Sequence, residues 1–190
     1  MILSNHMKKI ILGFVGELAS GKGTACRYLH KKYGAPSYRF SNILRDLLKR
    51  LSLDITRENQ QHMSQILRET FGQDTLARVI AADVTGDPSE LITVDGVRRL
   101  PDLSYLKKIP GFFLVSIIAD PLTRYQRLIK RGENSDDTTK TFEQFQRDSQ
   151  AEAELQIQEA AQTAQWTIDN NGTLDELHQQ LEHILQSVKL

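Results

Sequence analysis

Cysteine is scarce in this sequence, long apolar runs are absent, and neither sign of charge is in excess. The single cysteine, Cys26, excludes a framework of internal disulfides and favours a reducing, cytoplasmic location. No apolar run approaches the ~18 residues that a membrane span requires, so we expect no membrane segment. Lysine plus arginine and aspartate plus glutamate number 24 each, so no overall field attracts nucleic acid or an anionic membrane. Any anion site must therefore be built locally.

Short, unbroken apolar runs predict a parallel β-sheet. The four strong runs are Ile10–Val15, Leu91–Val94, Phe112–Ile118 and Trp166–Ile168. A weaker run, Ser37–Phe40, follows a break of glycine, alanine and proline. Unbroken rather than alternating hydrophobicity is typical of strands that are covered on both faces.

Helical patterns alternate with these runs. They cover Lys22–Tyr33, Ile43–Leu51, Arg57–Ala82, Leu103–Lys108, Pro121–Arg131, Thr141–Gln162 and Leu174–Val188. Such alternation predicts an α/β fold, in three layers, with a doubly wound parallel sheet of about five strands.

The length of the chain predicts one domain over residues 1–190. Residues 7–40 and 87–190 form its predicted core. A helical stretch of about 41–86 interrupts the alternation and is interpreted as an inserted lobe that binds the acceptor. A polar stretch of about 132–140 is interpreted as a short lid.

A glycine-rich stretch with the sequence GELASGKGT lies between the first strand and the first helix. Strand, glycine loop and helix in this order are the context of a phosphate-binding loop, in which main-chain N–H groups and a lysine face the phosphates. The usual motif has a serine or threonine directly after the lysine as a Mg²⁺ ligand, but here a glycine stands there. The residues expected to bind ATP in the loop are Gly16, Ala19, Ser20, Gly21, Lys22, Gly23 and Thr24.

Signatures of other phosphate-loop proteins are missing. There is no Asn-Lys-x-Asp to read guanine and no Leu-Ser-Gly-Gly-Gln of transporter ATPases. The five histidines have no metal-ligand spacing. What the sequence does contain is arginine at the places where a donor and an acceptor phosphate would have to be brought together against their like charge.

Two of these arginine groups frame the predicted acceptor site. Ser41 is predicted to cap the first helix of the inserted lobe, with Arg45 one turn later on the same face. Asp95 ends the third strand, at the edge where open α/β sheets bind ligands, and Arg98 and Arg99 follow it. A simple cap, a turn-forming aspartate and solvated arginines are the alternative interpretation.

The third group precedes the predicted lid. Arg124, Arg127 and Arg131 lie close to one face of a predicted helix. This spacing is also common on exposed helices that have no ligand.

Together these motifs resemble those of the nucleoside monophosphate kinase superfamily. GELASGKGT is similar to the adenylate kinase loop, FSNILR to the segment that binds the acceptor phosphate, VDGVRR to the Asp-Gly-x-x-Arg strand end, and RLIKR to the Arg-x-x-x-Arg of the lid helix. WTIDNNGTLDEL resembles the end of dephospho-CoA kinases, where a loop borders the adenine. The lid is far shorter than that of adenylate kinase, so the chain is interpreted as a divergent small nucleotide kinase.

The resemblance implies roles for individual residues. Arg99 matches the adenylate kinase arginine, whereas Arg98 matches that of dephospho-CoA-kinase-like and phage deoxynucleotide kinases. The implied catalytic residues are Lys22, Asp95, Arg98, Arg127 and Arg131. The implied acceptor site is Ser41, Arg45, Arg98 and Arg99, and the implied ATP site adds Arg127, Asn170 and Asn171 to the loop. Asp95 is expected to hold Mg²⁺ through water.

Three functions stay open from the sequence. The first is phosphorylation of a nucleoside or deoxynucleoside monophosphate by ATP with Mg²⁺. The second is phosphorylation of a ribose hydroxyl, as in dephospho-CoA kinase, with Asp95 as the base. The third is a nucleotide-binding regulatory protein with little turnover. The expected partners are ATP and a small phosphorylated acceptor, without nucleic acid or membrane, for a monomer or homodimer.

Overall fold

A parallel β-sheet organises the chain, whose structure is a computed structural model that describes residues 9–131, 137–149 and 152–188. The strands are β1 (Ile10–Val15), β2 (Ser37–Arg39), β3 (Leu91–Val97), β4 (Phe112–Ile118) and β5 (Trp166–Asp169). Within the described residues they form one five-stranded sheet in the order β2–β3–β1–β4–β5, and every neighbouring pair is parallel. The predicted doubly wound sheet is confirmed, including its weak second strand.

Helices connect the strands and cover the sheet. They are α1 (Lys22–Tyr33), α2 (Phe40–Arg50), α3 (Arg57–Phe71), α4 (Thr75–Gly86), α5 (Leu100–Leu103), α6 (Pro121–Arg131), α7 (Phe142–Ser149), α8 (Glu152–Ala161) and α9 (Leu174–Val188). Short 3₁₀ turns add Leu106–Lys108 and Asp137–Thr139. Helices α2, α3 and α4 all lie between β2 and β3, where the sequence predicts the inserted lobe.

Two apolar clusters bind the helices to the two faces of the sheet. On one face, Leu29 of α1 and Leu181 of α9 pack in the same cluster as Phe14 of β1. On the other, Leu76 of α4 lies in a cluster with Ile11 of β1 and with residues of α2, α5 and α8. Every residue of β1 is buried, which explains its unbroken apolar run and confirms the three-layer prediction. Among the helices in the described ranges, none is long and apolar enough to cross a lipid bilayer.

Several predicted helices are divided in the structure. The predicted helix Arg57–Ala82 is two helices, because Gly72 between them has a φ of 106°, a conformation that glycine adopts readily. The prediction for Thr141–Gln162 corresponds to α7 and α8, and residues 150–151 lie outside the described residues. The prediction for Leu103–Lys108 is replaced by the end of α5 and a 3₁₀ turn.

The start of α2 also differs from the prediction. The sequence predicts Ser41 as the cap of this helix, but Arg39 is the N-cap and Ser41 is the second helical residue. Strand β2 passes into α2 without a loop, since Arg39 keeps extended φ and ψ of −122° and 129° and Phe40 is already buried in the core. The burial of Phe40, rather than a serine cap, therefore fixes where the helix begins.

Polar contacts join the two ends of the segment that contains α2, α3 and α4. The hydroxyl of Tyr38, before this segment, donates to Oδ2 of Asp87, after it, at 2.7 Å. Lys9 Nζ donates to the main-chain oxygen of Val84 at 3.1 Å. The contact with Asp87 raises the pKa of Tyr38 to about 12, and the Tyr38 hydrogen bond, with help from Ser89, lowers the pKa of Asp87. The two ends of the segment are thereby held together.

The variant Tyr38→Phe removes this hydrogen bond and keeps the ring. We expect it to lower the free energy of unfolding by about 1 kcal/mol at pH 7. Because the pKa of Asp87 is lowered from 3.8 in the folded state, its ionised form contributes stability above that pH, and the contribution is lost as the pH falls through the lowered value. Urea unfolding of both proteins checks this, and a difference that fails to shrink from pH 7 to below pH 3 would contradict it.

Candidate active site

The carboxyl ends of the strands meet at one edge of the sheet around β1. Because β3 lies on one side of β1 and β4 on the other, the chain winds away from β1 in opposite directions. Ligands of open α/β sheets bind at such a switch point. The glycine loop follows β1, Asp95–Arg99 ends β3 and continues beyond it, Asp120 follows β4, and Asn170 follows β5. The sequence-predicted phosphate loop thus lies where a ligand is expected.

The loop after β1 depends on glycine at two positions. Gly16 has a φ of 153° and Gly21 a φ of 115°, whereas Ala19 adopts the left-handed region at 60°. A Cβ added at Gly16 would collide with the main-chain oxygen of Ile117, and one at Gly21 with the side-chain amide of Asn170. Close packing and backbone conformation therefore both require these glycines.

Lys22 is the first residue of α1, and its ammonium folds back over the loop. Nζ donates to the main-chain oxygens of Gly16 and Glu17 at 2.6 and 2.9 Å. Gly21 is the N-cap and no side chain in the described residues caps α1, so the positive end of the helix faces the loop. Ser20 lies at its base with a buried Oγ that has no hydrogen-bond partner among the described residues.

Arg124 of α6 braces the loop. It is 2% exposed, and its Nη2 lies 3.1 Å from the Glu17 carboxylate. Its Nε donates to the main-chain oxygen of Ala119 at 3.1 Å, and its Nη1 reaches that of Leu18 at 3.5 Å. Arg124 is thus a buried support rather than a solvated member of the arginine group before the lid. The sequence feature that could have indicated this role is Glu17, because an acidic residue inside a phosphate loop needs a cation nearby.

The two asparagines after β5 have different surroundings. Asn170 is buried, and its Nδ2 donates to the main-chain oxygen of Ser20 at 2.7 Å. This hydrogen bond links the loop to the end of β5. Asn171 is exposed; its Oδ1 accepts from the main-chain N–H of Asp120 at 2.7 Å, and its Nδ2 donates to Asp169 at 2.8 Å. That both line the adenine stays a prediction.

Asp95 has a partner that the sequence analysis missed, Arg39. Both Nε and Nη2 of Arg39 contact Oδ2 of Asp95, at 2.8 and 2.6 Å. The two residues face each other in the β2–β3 register, and Asp95 is 3% exposed. Burial, with Asp95 close by, raises the pKa of Cys26 to about 11, so this thiol stays protonated at neutral pH. That Asp95 holds Mg²⁺ through water stays a prediction, whereas the structure shows its ion pair with Arg39.

The two arginines after β3 have different surroundings: the Arg99 side chain contacts other side chains, and the Arg98 side chain is exposed. Arg99 Nη1 donates to Gln73 at 3.1 Å, and its Nε lies 4.0 Å from Asp102. Asp102 is buried and pairs with Arg68 of α3 at 3.0 Å; burial raises its pKa, and Arg68 opposes that shift. Asp102 also accepts from the main-chain N–H of Arg98 at 3.1 Å. The Arg98 side chain is exposed.

The remaining predicted arginines lie on α2 and α6. Arg45 is half-buried on α2, Arg127 is half-buried on α6, and Arg131 is exposed at the end of α6. Nη1 of Arg127 is buried without a hydrogen-bond partner among the described residues. Of the predicted lid, residues 132–136 lie outside the described residues. The hydroxyl of Tyr125 joins α6 to the main-chain oxygen of Lys140 at 3.0 Å.

No group of three histidine, cysteine, aspartate or glutamate side chains in the described residues could hold a metal ion. The carboxylate of Asp95 lies near the carboxyl end of β3, which pairs with β1 ahead of the loop.

Residues 15–146 match a family model described as an AAA domain. The UPF0200 protein MJ1399 of Methanocaldococcus jannaschii is 29% identical over 181 residues, which are 94% of this chain and 90% of that protein. A UPF0200 protein of Methanosarcina acetivorans is 30% identical over 179 residues, or 93% of this chain and 94% of that protein.

Solved structures share the fold. A shikimate kinase from Acinetobacter baumannii, in complex with shikimate, aligns over 97% of both chains with a TM-score of 0.59 and 18% identity. TT1252 from Thermus thermophilus aligns over 95% of this chain and 98% of its own, with a TM-score of 0.59 and 16% identity. At these identities the likeness shows a P-loop kinase fold.

Gly16→Ala tests the loop conformation. We expect the free energy of unfolding to fall by about 1–3 kcal/mol, because the methyl group meets the Ile117 oxygen and strains the backbone. Gly86→Ala is the matched control, since an added Cβ at the end of α4 meets nothing within 4 Å; we expect no loss of stability there. Denaturant unfolding compares the two, and equal effects would contradict the loop geometry.

Proposed function

Since the chain belongs to the UPF0200 proteins and to the AAA domain family whose model covers residues 15–146, and has a P-loop kinase fold, we propose that it is an ATP-dependent small-nucleotide kinase. It would move the γ-phosphoryl group of ATP to the phosphate of a nucleoside or deoxynucleoside monophosphate. The observation that carries this proposal is the phosphate loop together with the arginines near it. The carboxylates beside those arginines, Asp95 and Asp102, are already paired with Arg39 and Arg68.

The loop and the start of α1 supply the donor side. Main-chain N–H groups and the helix N-terminus would hold the β- and γ-phosphates. The Lys22 ammonium now bridges two loop oxygens, and its flexible stem allows it to turn toward the outer phosphates. Asn170 and Arg124 keep the loop in its conformation before the nucleotide arrives, so little ordering is left for the binding step.

The acceptor side favours a phosphate over a hydroxyl. A hydroxyl acceptor needs a base to take its proton, but the buried Asp95 already accepts two contacts from Arg39. The buried Asp102 likewise binds Arg68. A phosphate acceptor is already an anionic nucleophile near neutral pH and needs no base. Arg45 and Arg98 are the side chains that would bind it.

In the proposed reaction an oxygen of the acceptor phosphate attacks the γ-phosphorus in line. The bond from that phosphorus to the β,γ-bridging oxygen breaks, and ADP leaves with the electron pair. Lys22 and Arg127 would neutralise charge on the equatorial oxygens, and the buried, unpartnered Nη1 of Arg127 is suited to this role. Arg131 would approach from the end of α6 and help to exclude water.

The first experiment measures ADP formation from Mg²⁺-ATP with a panel of nucleoside and deoxynucleoside monophosphates and dephospho-CoA. We expect turnover with a monophosphate, and a loss of about 100-fold or more in Lys22→Ala because a positive charge at the transferring group is removed. Lys49→Ala, at an exposed position of α2, is the control and should keep full activity.

The other outcomes identify the alternatives. Turnover with dephospho-CoA alone would establish a kinase that phosphorylates a hydroxyl. Binding of ATP without turnover on any acceptor would establish a regulatory nucleotide-binding protein. Either result overturns the proposed monophosphate kinase.

The neighbouring residues Arg98 and Arg99 give a second test. Arg98→Gln should raise the KM for the acceptor about tenfold or more with little change in stability, because this exposed side chain is expected to bind the acceptor phosphate. Arg99→Gln should instead lower the melting temperature, because Arg99 contacts Gln73 and the buried Asp102. Acceptor KM and thermal unfolding are measured for both, and a reversed pattern would assign the acceptor role to Arg99.

A further inference from the structure

The buried aromatic ring of helix α7 packs on α6 rather than in the core of the sheet. Phe145 is 1% exposed, yet it is not among the described residues of the two apolar clusters that cover the sheet. Its ring centroid lies 5.8 Å from that of Tyr125 on α6 and 5.3 Å from the guanidinium carbon of Arg124. Helix α7 therefore contacts the arginine that braces the phosphate loop.

Arg124 contacts the loop through its N–H groups and Phe145 through its guanidinium carbon. The N–H groups reach the carboxylate of Glu17 and the main-chain oxygens of Ala119 and Leu18. The guanidinium carbon lies over the ring of Phe145, which is the arrangement of a cation–π contact. The ring also keeps water away from the ion pair with Glu17, and the attraction between two charges falls as the local dielectric constant rises. Loss of the ring is therefore expected to loosen the pair without removing either partner.

Glu17 connects Arg124 to groups that are expected to face the phosphates. Its main-chain oxygen accepts from Nζ of Lys22 at 2.9 Å and from the main-chain N–H of Ser20 at 3.2 Å. A displacement of the Glu17 backbone would therefore shift the Lys22 ammonium and the middle of the loop. A continuous series of contacts thus runs from Phe145 through Arg124 and Glu17 to Lys22.

We propose that Phe145 is a positioning residue of the phosphate loop, which acts through Arg124 and Glu17, and that the packing of α7 on α6 is thereby coupled to nucleotide binding. This inference rests on the proposed function, because it presumes that the loop binds ATP. It adds a form of regulation to that site, since nucleotide affinity is highest while Phe145 covers Arg124. Because binding couplings are reciprocal, a bound nucleotide in turn stabilises the packing of α7.

Calorimetric titration with a non-hydrolysable ATP analogue and Mg²⁺ tests the coupling. Phe145→Leu keeps an apolar side chain but removes the ring at Arg124, and we expect its Kd to rise about fivefold or more. Phe113→Leu is the matched control, because its half-buried ring packs on Trp166, with centroids 5.5 Å apart, at the end of β4 that is remote from the loop. Both variants should lower the melting temperature, but only Phe145→Leu should change the Kd.

A double-mutant cycle with Glu17→Gln tests the route. Glu17→Gln removes the carboxylate that Arg124 contacts, so in that background Phe145→Leu should change the Kd by less than about twofold. A purely structural role of Phe145 would lower the melting temperature and raise the Kd by the same factor in both backgrounds. That result would overturn the proposal.

Hydrogen exchange gives a second readout, which also decides the question if Glu17→Gln does not fold. In the parent protein, saturating analogue should slow the exchange of the amides of residues 142–149, because the coupling is reciprocal. In Phe145→Leu this slowing should disappear. Unchanged exchange in the parent, or equal slowing in both proteins, would contradict the coupling.

The outcomes separate this coupling from the function on which it rests. A parent protein that binds no analogue overturns the proposed function together with the role of Phe145. A parent that binds the analogue, with an unchanged Kd in Phe145→Leu, overturns the role of Phe145 alone.

Discussion

The site depends on how the fold accommodates one buried charge, the guanidinium of Arg124. A cation at 2% exposure is stable only when it is paired and hydrogen-bonded. Its partners are the carboxylate of Glu17, the main-chain oxygen of Ala119 and the ring of Phe145, whose centroid lies 5.3 Å away. They belong to the phosphate loop, the end of β4 and α7. These segments therefore pack together around α6, and their contacts with Arg124 support the conformation of the loop.

The same kind of pairing recurs at one edge of the sheet in a chain whose formal net charge is zero. Glu17, Asp95 and Asp102 all lie near the carboxyl ends of the strands, and each is paired with an arginine. These pairs hold three arginines in place, whereas Arg98, directly after β3, and Arg127, on the helix after β4, lie outside them. The placement of individual charges, which the net charge does not reveal, therefore decides the local field at this edge.

Much of the fold follows from the sequence because burial on both faces leaves a local signature. The unbroken run of β1 is an example, and so is the glycine loop after it, in which Gly16 and Gly21 have positive φ. What was missed depends on contacts between distant segments. The Arg39–Asp95 pair forms across two strands, and burial of Phe40 moved the start of α2 ahead of Ser41. Neither contact produces a periodic pattern or a motif in the sequence.

Asp102 shows why the inserted helices and the strand end that carries Arg98 form one unit. Its buried carboxylate binds Arg68 on α3 and also accepts from the main-chain N–H of Arg98. Because burial alone raises the pKa of Asp102, the ionised form is stable only while these partners are in place. A shift of α3 away from α5 would leave the carboxylate short of a cation, and a shift of the strand end would leave it short of donors. The inserted helices and the strand end that presents Arg98 are therefore expected to move together.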